Sequence, residues 1–517
     1  MEEILVNANV ISASLFGTDG YPVTVHVHNG PGLPGFTMIG LPDTTCRESR
    51  DRVRSALVSC GIDWPSTRLT VNLTPTDRRK GGSSLDLALA VALLVSCAVV
   101  REDDVAGMAF LGELGLDGAI RSIPGVLPMV AAIDEPVVVV PRASHHEAAL
   151  VGRHHVRSVA SLKELLTVIR RDSEHQTLEP WPPPPPHFTS AEPPVVVDLA
   201  DVRGQPLARR AMEVAAAGGH HVLLVGPPGA GKTMLAKRMP TLLPDLDPAT
   251  ALDTTKIHSA AGSLEPMHDL IRRPPFRSPH HGASSVAMVG GGASWVRPGE
   301  ISLANGGILF LDEMAEFSVD VLESLRQPLE EAVVHVARAQ FRLTFPARFL
   351  LVGAMNPCPC GGGDRPGTCR CSPASLARYT RRLSAPILDR FDLRVKVDRP
   401  DPTQLLSGEP GEPSAPVRAR VEEARNRALF RGVRANVDLN GPGLTKLAPF
   451  STDADRLVMD RLKSGVLTAR GVDRIRRVAL TIDDLAGHDG PVSLGAVREA
   501  MLLRDQLSFL REHVVAS

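Results

Sequence analysis

The sequence predicts an α/β protein: a parallel-sheet core, with a separate part ahead of it and an all-helical part behind it. Three observations carry this. Three apolar runs, "HVLLV" (221–225), "GILFL" (307–311) and "RFLLVGAMN" (348–356), each lead into glycine-rich or polar residues. Buried parallel strands have this pattern, with a site along their C-terminal edge. A polyproline stretch, "EPWPPPPPHFTSAEPP" (179–194), is extended and semi-rigid and cannot sit inside a packed domain. After the loose "SGEPGEPSAP" (407–416), charged and apolar residues alternate at helical spacing in "VRARVEEARNRALF", "ARGVDRIRRVALTIDDLAG" and "SLGAVREAMLLRDQLSFLREH". The expected division is 1–175 for the N-terminal part, 176–194 for the linker, 195–405 for the core and 415–517 for the helical part.

The bulk composition bounds the rest. A chain of 517 residues is too long for one ordinary core. Its apolar run "LALAVALLVSCAVV" (87–100) is too short to span a bilayer and reads as a buried helix, so no membrane partner is expected. The start "MEEILVNANV" is acidic without an apolar leader, which gives a cytoplasmic expectation. With a formal charge of −1 there is no global field for polyanions, so any nucleic acid must be held by local patches. Aromatic residues make up only 4%, which argues against a surface of base-stacking platforms.

The first core strand runs into "GPPGAGKT", that is Gly226, Pro227, Pro228, Gly229, Ala230, Gly231, Lys232 and Thr233. This fits the phosphate-loop pattern in full, with a strand before it and a helix start after it. Backbone N–H groups and a helix N-terminus there receive phosphate. Lys232 is expected on the β- and γ-phosphates of ATP, and the Thr233 hydroxyl on Mg²⁺. The second strand ends in Asp312, a further Mg²⁺ residue through water, and Glu313, a base for the attacking water. The third ends in Asn356, an amide able to orient that water. Arg390, in "LSAPILDRFDLRVKV", is the candidate for entering a neighbour's site. Arg470, in "LTARGVDRIRR", is the candidate for closing over the γ-phosphate of its own chain, with Arg474 competing for that role.

These residues lie in stretches that resemble the magnesium-chelatase-like AAA+ ATPases of the YifB/ComM type: "GPPGAGKT", "RPPFRSPHHGASSVAMVGGG", "RPGEISLANGGILFLDEMAEF", "LRQPLEE", "NPCPCGGG", "CRCSP" and "SAPILDRFDL". The resemblance covers almost the whole chain. It implies a homo-oligomeric ring, a hexamer, of AAA+ modules with a C-terminal helical lid, and the catalytic roles just given. It also implies an ATP-driven DNA motor, a branch-migration helicase in homologous recombination and natural transformation. The alternatives are a chelatase motor subunit and a chaperone-type protein remodeller without DNA. The N-terminal stretches "HVHNGPGLPGFTMIGLPD", "RLTVNLTPTDRRKGGSSLDLALAVALL" and "FLGELGLDGAIRSIPGVLPMVAA" are similar to the proteolytic domain of Lon-type proteases, a ribosomal S5-like fold. That family uses a Ser-Lys dyad. Here Leu127 or its neighbours occupy the lysine's place, and no lysine lies between Gly81 and Leu162. Ser83 and Ser84 are thus expected to lack an amine base, giving the fold without protease chemistry.

Four of the seven cysteines crowd directly behind Asn356: Cys358, Cys360, Cys369 and Cys371. Two thiolate pairs joined by a glycine-rich turn suit a structural Cys₄ zinc, expected to pin this loop beside Asn356. About 75 residues separate the first two core strands, more than one helix and one strand need, so an insertion is expected. It carries Arg272, Arg273, Arg277, His280, His281 and Arg297. The adjacent histidines are expected to point apart. "VVHVARAQFRLTF" (333–345) reads as a hairpin with Arg338 at its tip. Basic hairpins suit phosphate contacts that track a strand without reading its sequence.

Overall fold

The computed structural model describes residues 6–170, 180–185, 197–262, 269–292, 296–338, 341–362, 368–399, 401 and 410–505. The expected linker falls mostly outside these residues. Its described part does not stand clear of the domains. Trp181 packs on the N-terminal core, with the Arg157 guanidinium 5.9 Å from its ring centre.

The N-terminal part is a seven-stranded sheet: β1 (Val6–Phe16), β2 (Asp19–Gly30), β3 (Gly35–Ile39), β4 (Arg68–Thr74), β5 (Met108–Phe110), β6 (Val137–Pro141) and β7 (His155–Val159), in the order β3-β4-β2-β1-β5-β6-β7. Alternation along β2 gives the β1–β2 ribbon two faces. Val23, Val25 and Val27 face the core, while His26 and His28 on the other face pair across the strands with Asn9 and Asn7 at 2.6 and 2.8 Å. Helices α1 (Thr44–Ser59) and α2 (Asp86–Ser96) cover the buried face. Every residue of α2 is buried, as its apolar run predicts. Short helices α3 (Val126–Ala131) and α4 (His145–Ala149) turn toward the second part.

The core begins with α5 (Pro206–Gly218), β8 (Val222–Val225), α6 (Lys232–Leu242) and α7 (Pro248–Ala261). The insertion carries β9 (Phe276–Arg277) and the small hairpin β10 (Gly290–Gly291) and β11 (Arg297–Pro298). Then come β12 (Ile308–Leu311), α8 (Arg326–Glu331), the hairpin β13 (Val333–Arg338) and β14 (Phe341–Pro346), β15 (Leu350–Met355), α9 (Pro373–Arg381) and β16 (Leu393–Lys396). The central sheet runs β9-β12-β15-β8-β16, and every pair is parallel. The expected parallel sheet and the β13–β14 hairpin are therefore present. Arg338 pairs with Phe341 in the last described rung of the hairpin; residues 339–340 lie outside the described set.

The helical part comprises α10 (Ser414–Phe430), α11 (Ala469–Leu485) and α12 (Leu494–Asp505), with shorter helices between. It has no separate core. Val421, Ala424, Val478 and Ala479 belong to the same buried cluster as Val222, Leu224 and Val395 of the sheet. The other sheet face packs against the insertion, the hairpin and Phe391.

One half-buried acid ties the N-terminal part to the core. Glu147 accepts from Ser259 Oγ of α7 at 2.5 Å and from the Leu127 N–H at 3.1 Å. Beside it the Gly125 N–H donates to the Ser259 carbonyl at 2.9 Å. Burial raises the pKa of Glu147, and the Ser259 hydroxyl and Leu127 N–H only partly oppose this.

Candidate functional site

The loop between β8 and α6 is shaped for a phosphate. Gly229 and Gly231 have φ of +77° and +92°, a left-handed conformation that side chains disfavour, so the pattern's glycines are needed for backbone shape. Lys232 is buried at the first position of α6. Its Nζ donates to the Gly226 carbonyl at 2.6 Å, the Pro227 carbonyl at 3.0 Å and Asn356 Oδ1 at 3.1 Å. Burial lowers its pKa, and Asp312 and Glu313 act against that. Thr233 Oγ1 donates to Asp312 Oδ2 at 2.8 Å. These are hard oxygen donors side by side, suited to Mg²⁺. Parallel strands β8, β12 and β15 thus bring the loop, Asp312 and Asn356 to one rim.

Glu313 stands on the same rim in a left-handed conformation, φ +49° and ψ +43°, uncommon for a residue with a side chain. Its Oε2 lies 3.2 Å from His281 Nδ1. The pairing of β9 with β12 explains this. Phe276 lies opposite Ile308 and Arg277 opposite Leu309, and continuing that register brings His281 level with Glu313. The expectation that the two histidines point apart is wrong. Their rings lie 4.1 Å apart at 34°, because the chain turns at Gly282 rather than staying extended. Arg277 makes a two-pronged pair with Glu300 at 2.7 and 2.8 Å and belongs to the insertion's own scaffold. Arg272, Arg273 and Arg297 are exposed.

A cavity of about 540 Å³ adjoins the loop, lined by Asp201, Val202, Gln205, Gly229, Ala230 and Met234 among others. Gln205 Nε2 donates to the Ala230 carbonyl at 3.3 Å and so ties this wall to the phosphate loop. Sequence reasoning missed the wall. Apart from those of the phosphate loop, such as Gly229 and Ala230, its residues follow no motif, and the "DVRGQ" turn is the one local signal.

Arg390 occupies the opposite rim. It lies shortly before β16, whose first residue Leu393 pairs with Val222, the first residue of β8. The phosphate loop leaves β8 at the other end, roughly 13 Å away for a four-residue strand. Arg390 forms an ion pair with Glu330 of α8. Burial, then Arg474, Arg470 and Arg326, lower its pKa, so four guanidinium groups share this rim. Arg470, expected to close over the nucleotide of its own chain, begins α11 one turn before Arg474, whose partners Asp389 and Asp392 flank Arg390, so the helix carries it toward this rim. Docking of α11 on α5, α10 and α12 sets that position. Arg474 is buried and lies 3.6 Å from both Asp389 and Asp392, which makes it the scaffold member.

The four cysteines converge. Sγ separations are 3.4 Å for Cys358–Cys360, 3.9 Å for Cys360–Cys369 and 3.8 Å for Cys358–Cys369, and all four with Cys371 lie within 4.8 Å of one another. A tetrahedral ion with 2.3 Å bonds to sulfur requires S···S near ~3.8 Å, so the set fits Zn²⁺. N–H groups of Arg370 and Gly362 bring the Cys360 thiol down to about 6. In the N-terminal part, Ser83 Oγ donates to the Glu113 carboxylate and Ser84 Oγ to the Ala13 carbonyl at 3.1 Å. The expected lack of a nearby amine needs correcting, since Lys80 precedes Ser83 by three residues. Its Nζ is buried on the Pro75 and Arg78 carbonyls and does not reach the serine hydroxyls.

Comparison with known proteins accounts for the whole assembly. Residues 198–405 match the family described as "Magnesium chelatase, subunit ChlI", residues 23–144 match "Subunit ChlI of Mg-chelatase", and residues 411–504 match its C-terminal family. The chain is 39% identical to YifB of Escherichia coli, over 93% of this chain and 94% of that one. It is 38% identical to the competence protein ComM of Haemophilus influenzae, again over 93% and 94%. The chain belongs to the YifB/ComM family of magnesium-chelatase-like AAA+ ATPases. A Mycobacterium tuberculosis relative is 44% identical over 93% of this chain and 95% of its own. Membership accounts for the order of parts: a fused N-terminal unit, an AAA+ sheet with an insertion, and lid helices packed on the sheet. No helix among the described residues is long and apolar enough to cross a membrane.

Proposed function

We propose that this YifB/ComM-family chain is a cytoplasmic, ring-forming ATPase that drives DNA through its channel, a branch-migration helicase assembled as a hexamer. One observation carries the reading: the phosphate loop and Arg390 occupy opposite rims of one parallel sheet. No chain can bring its own Arg390 to its own phosphate, whereas head-to-tail neighbours can. Lys232 and the loop's N–H groups bind the β- and γ-phosphates of ATP, and the cavity beside Gln205 takes the base. Thr233 and Asp312 hold Mg²⁺, which screens the phosphate charge. Glu313 takes the proton of the attacking water, Asn356 orients that water, and Arg390 with Arg470 from the neighbour neutralises the developing charge. Cys358, Cys360, Cys369 and Cys371 hold a structural zinc. The N-terminal unit, 1–175, serves as a non-proteolytic platform joined by the linker at 176–194 to the core at 195–405 and the lid at 415–517.

The DNA assignment draws on the exposed Arg272, Arg273 and Arg297 of the insertion, on the β13–β14 hairpin, and on the relative named as a competence protein. The magnesium-chelatase family match favours a second reading, a remodelling motor without DNA. Unwinding of a four-way junction with ATP, with Glu313→Gln as control, separates them. Junction unwinding and salt-sensitive stimulation of ATPase by DNA support the helicase. Turnover indifferent to branched and single-stranded DNA rejects it.

A further inference from the structure

The cysteine knuckle touches the nucleotide pocket at two places, which a loop-pinning role does not require. Gly361 stands at the knuckle's turn, its N–H donating to the Cys358 carbonyl at 3.0 Å. A Cβ built on Gly361 would fall 2.6 Å from Pro228 Cδ and 2.8 Å from Cγ. The knuckle backbone therefore presses directly on the phosphate loop. The second contact runs through Asn356, which precedes the buried Cys358 by two residues and accepts from Lys232 Nζ at 3.1 Å. The Asn356 carbonyl is held at 3.0 Å by the hydroxyl of Tyr379, on the helix that follows Cys371. Both ends of the knuckle thus converge on Asn356, one directly and the other through Tyr379.

We propose that this knuckle is a metal-dependent lever on the nucleotide pocket: a thiophilic divalent ion, Zn²⁺, held by Cys358, Cys360, Cys369 and Cys371, sets Pro228 and Asn356, so that ion and nucleotide bind cooperatively. The proposal rests on the reading of the loop as a nucleotide site and of the cysteines as a zinc site. With the ion bound, the two thiolate pairs are cross-linked and the turn at Gly361 is fixed against Pro228. With the ion gone, the pairs keep only weak links, such as the Arg370 N–H on the Cys360 thiol and thiol contacts of 3.8 and 3.9 Å, and both contacts slacken. Coupling of this kind is reciprocal, so nucleotide must tighten the ion by the factor by which the ion tightens nucleotide.

The test uses the full-length chain purified without a histidine tag. Zinc is quantified by elemental analysis, and affinity for the fluorescent nucleotide mant-ADP is measured before and after stripping with a chelator. Stripping should weaken mant-ADP about tenfold, within the ordinary range of site-to-site coupling, and added Zn²⁺ should restore it. Saturating ADP should raise zinc affinity by the same factor in competition with a zinc indicator. Gly361→Ala should keep its zinc and still bind mant-ADP more weakly. A stoichiometric zinc whose removal leaves mant-ADP affinity unchanged overturns the lever and leaves the zinc site standing. A chain that neither retains nor takes up zinc overturns the zinc reading and the lever with it. A zinc-loaded chain that binds no mant-ADP overturns the nucleotide reading.

Discussion

Mixing Lys232→Ala with Arg390→Ala tests the composite pocket most directly. Each variant alone should be nearly inactive: the first loses its phosphate grip, and the second loses an arginine that in such sites is worth about 10³-fold or more in kcat. Arg390→Ala should fold normally. It removes one ion pair, to Glu330, but also relieves repulsion among Arg326, Arg390, Arg470 and Arg474. In a random one-to-one ring, a productive pocket needs an intact loop from an Arg390→Ala subunit and an intact arginine from its Lys232→Ala neighbour. Each choice has even odds, so about a quarter of pockets regain both parts, whatever the ring size. The assay is steady-state phosphate release at fixed total chain, after equilibrating the mixture with nucleotide. Activity near a quarter of wild type is expected. A mixture no more active than its components, or a fully active Arg390→Ala chain, would refute the shared pocket.

Four further outcomes follow from the same structure. Arg470→Ala should complement Lys232→Ala in the same way, because Arg470 shares the Arg390 rim; absence of complementation returns it to its own chain's pocket. Glu313→Gln should bind ATP and fail to release phosphate, read by filter binding and single-turnover kinetics. His281→Ala removes the imidazole that lies 3.2 Å from the Glu313 carboxylate and should raise basal kcat about fivefold with KM unchanged, the scale of one half-exposed polar contact; His281→Asn, which keeps a polar group there, should stay close to wild type. For Glu147, the folded pKa lies above the unfolded value, so the folded state holds the proton more tightly. Its contribution to stability is therefore largest at acidic pH and falls as pH rises from the ordinary carboxylate range through the raised value. Glu147→Gln should flatten that slope in thermal melts between pH 4 and pH 8.

What the sequence disclosed, and what it withheld, follows from how far each feature reaches along the chain. The phosphate loop is contiguous and flanked by its own strand and helix, so its residues and their rim could be read directly. Asp312 and Asn356 were legible for a related reason, since each ends an apolar run and parallel strands align such ends. The β13–β14 hairpin and the cysteine cluster are also local. Arg470 was not legible, because its place depends on how α11 docks on the shared apolar cluster, and no short pattern encodes that. His281 reaches Glu313 only through the register of an edge strand that is two residues long. The wall around Gln205 is built by a turn with no motif. Trp181 shows the limit of composition: a proline-rich run reads as a free spacer, yet one indole within it finds an apolar face.

The single polarity of the central sheet has a bearing on waste. Under the shared pocket proposed above, a subunit holding its fuel at one end and its trigger at the other would be inert on its own, however tightly it is loaded. Consumption would begin only when the trigger of one meets the fuel of the next. Dispersed copies would then idle, and burning of ATP would be confined to closed assemblies.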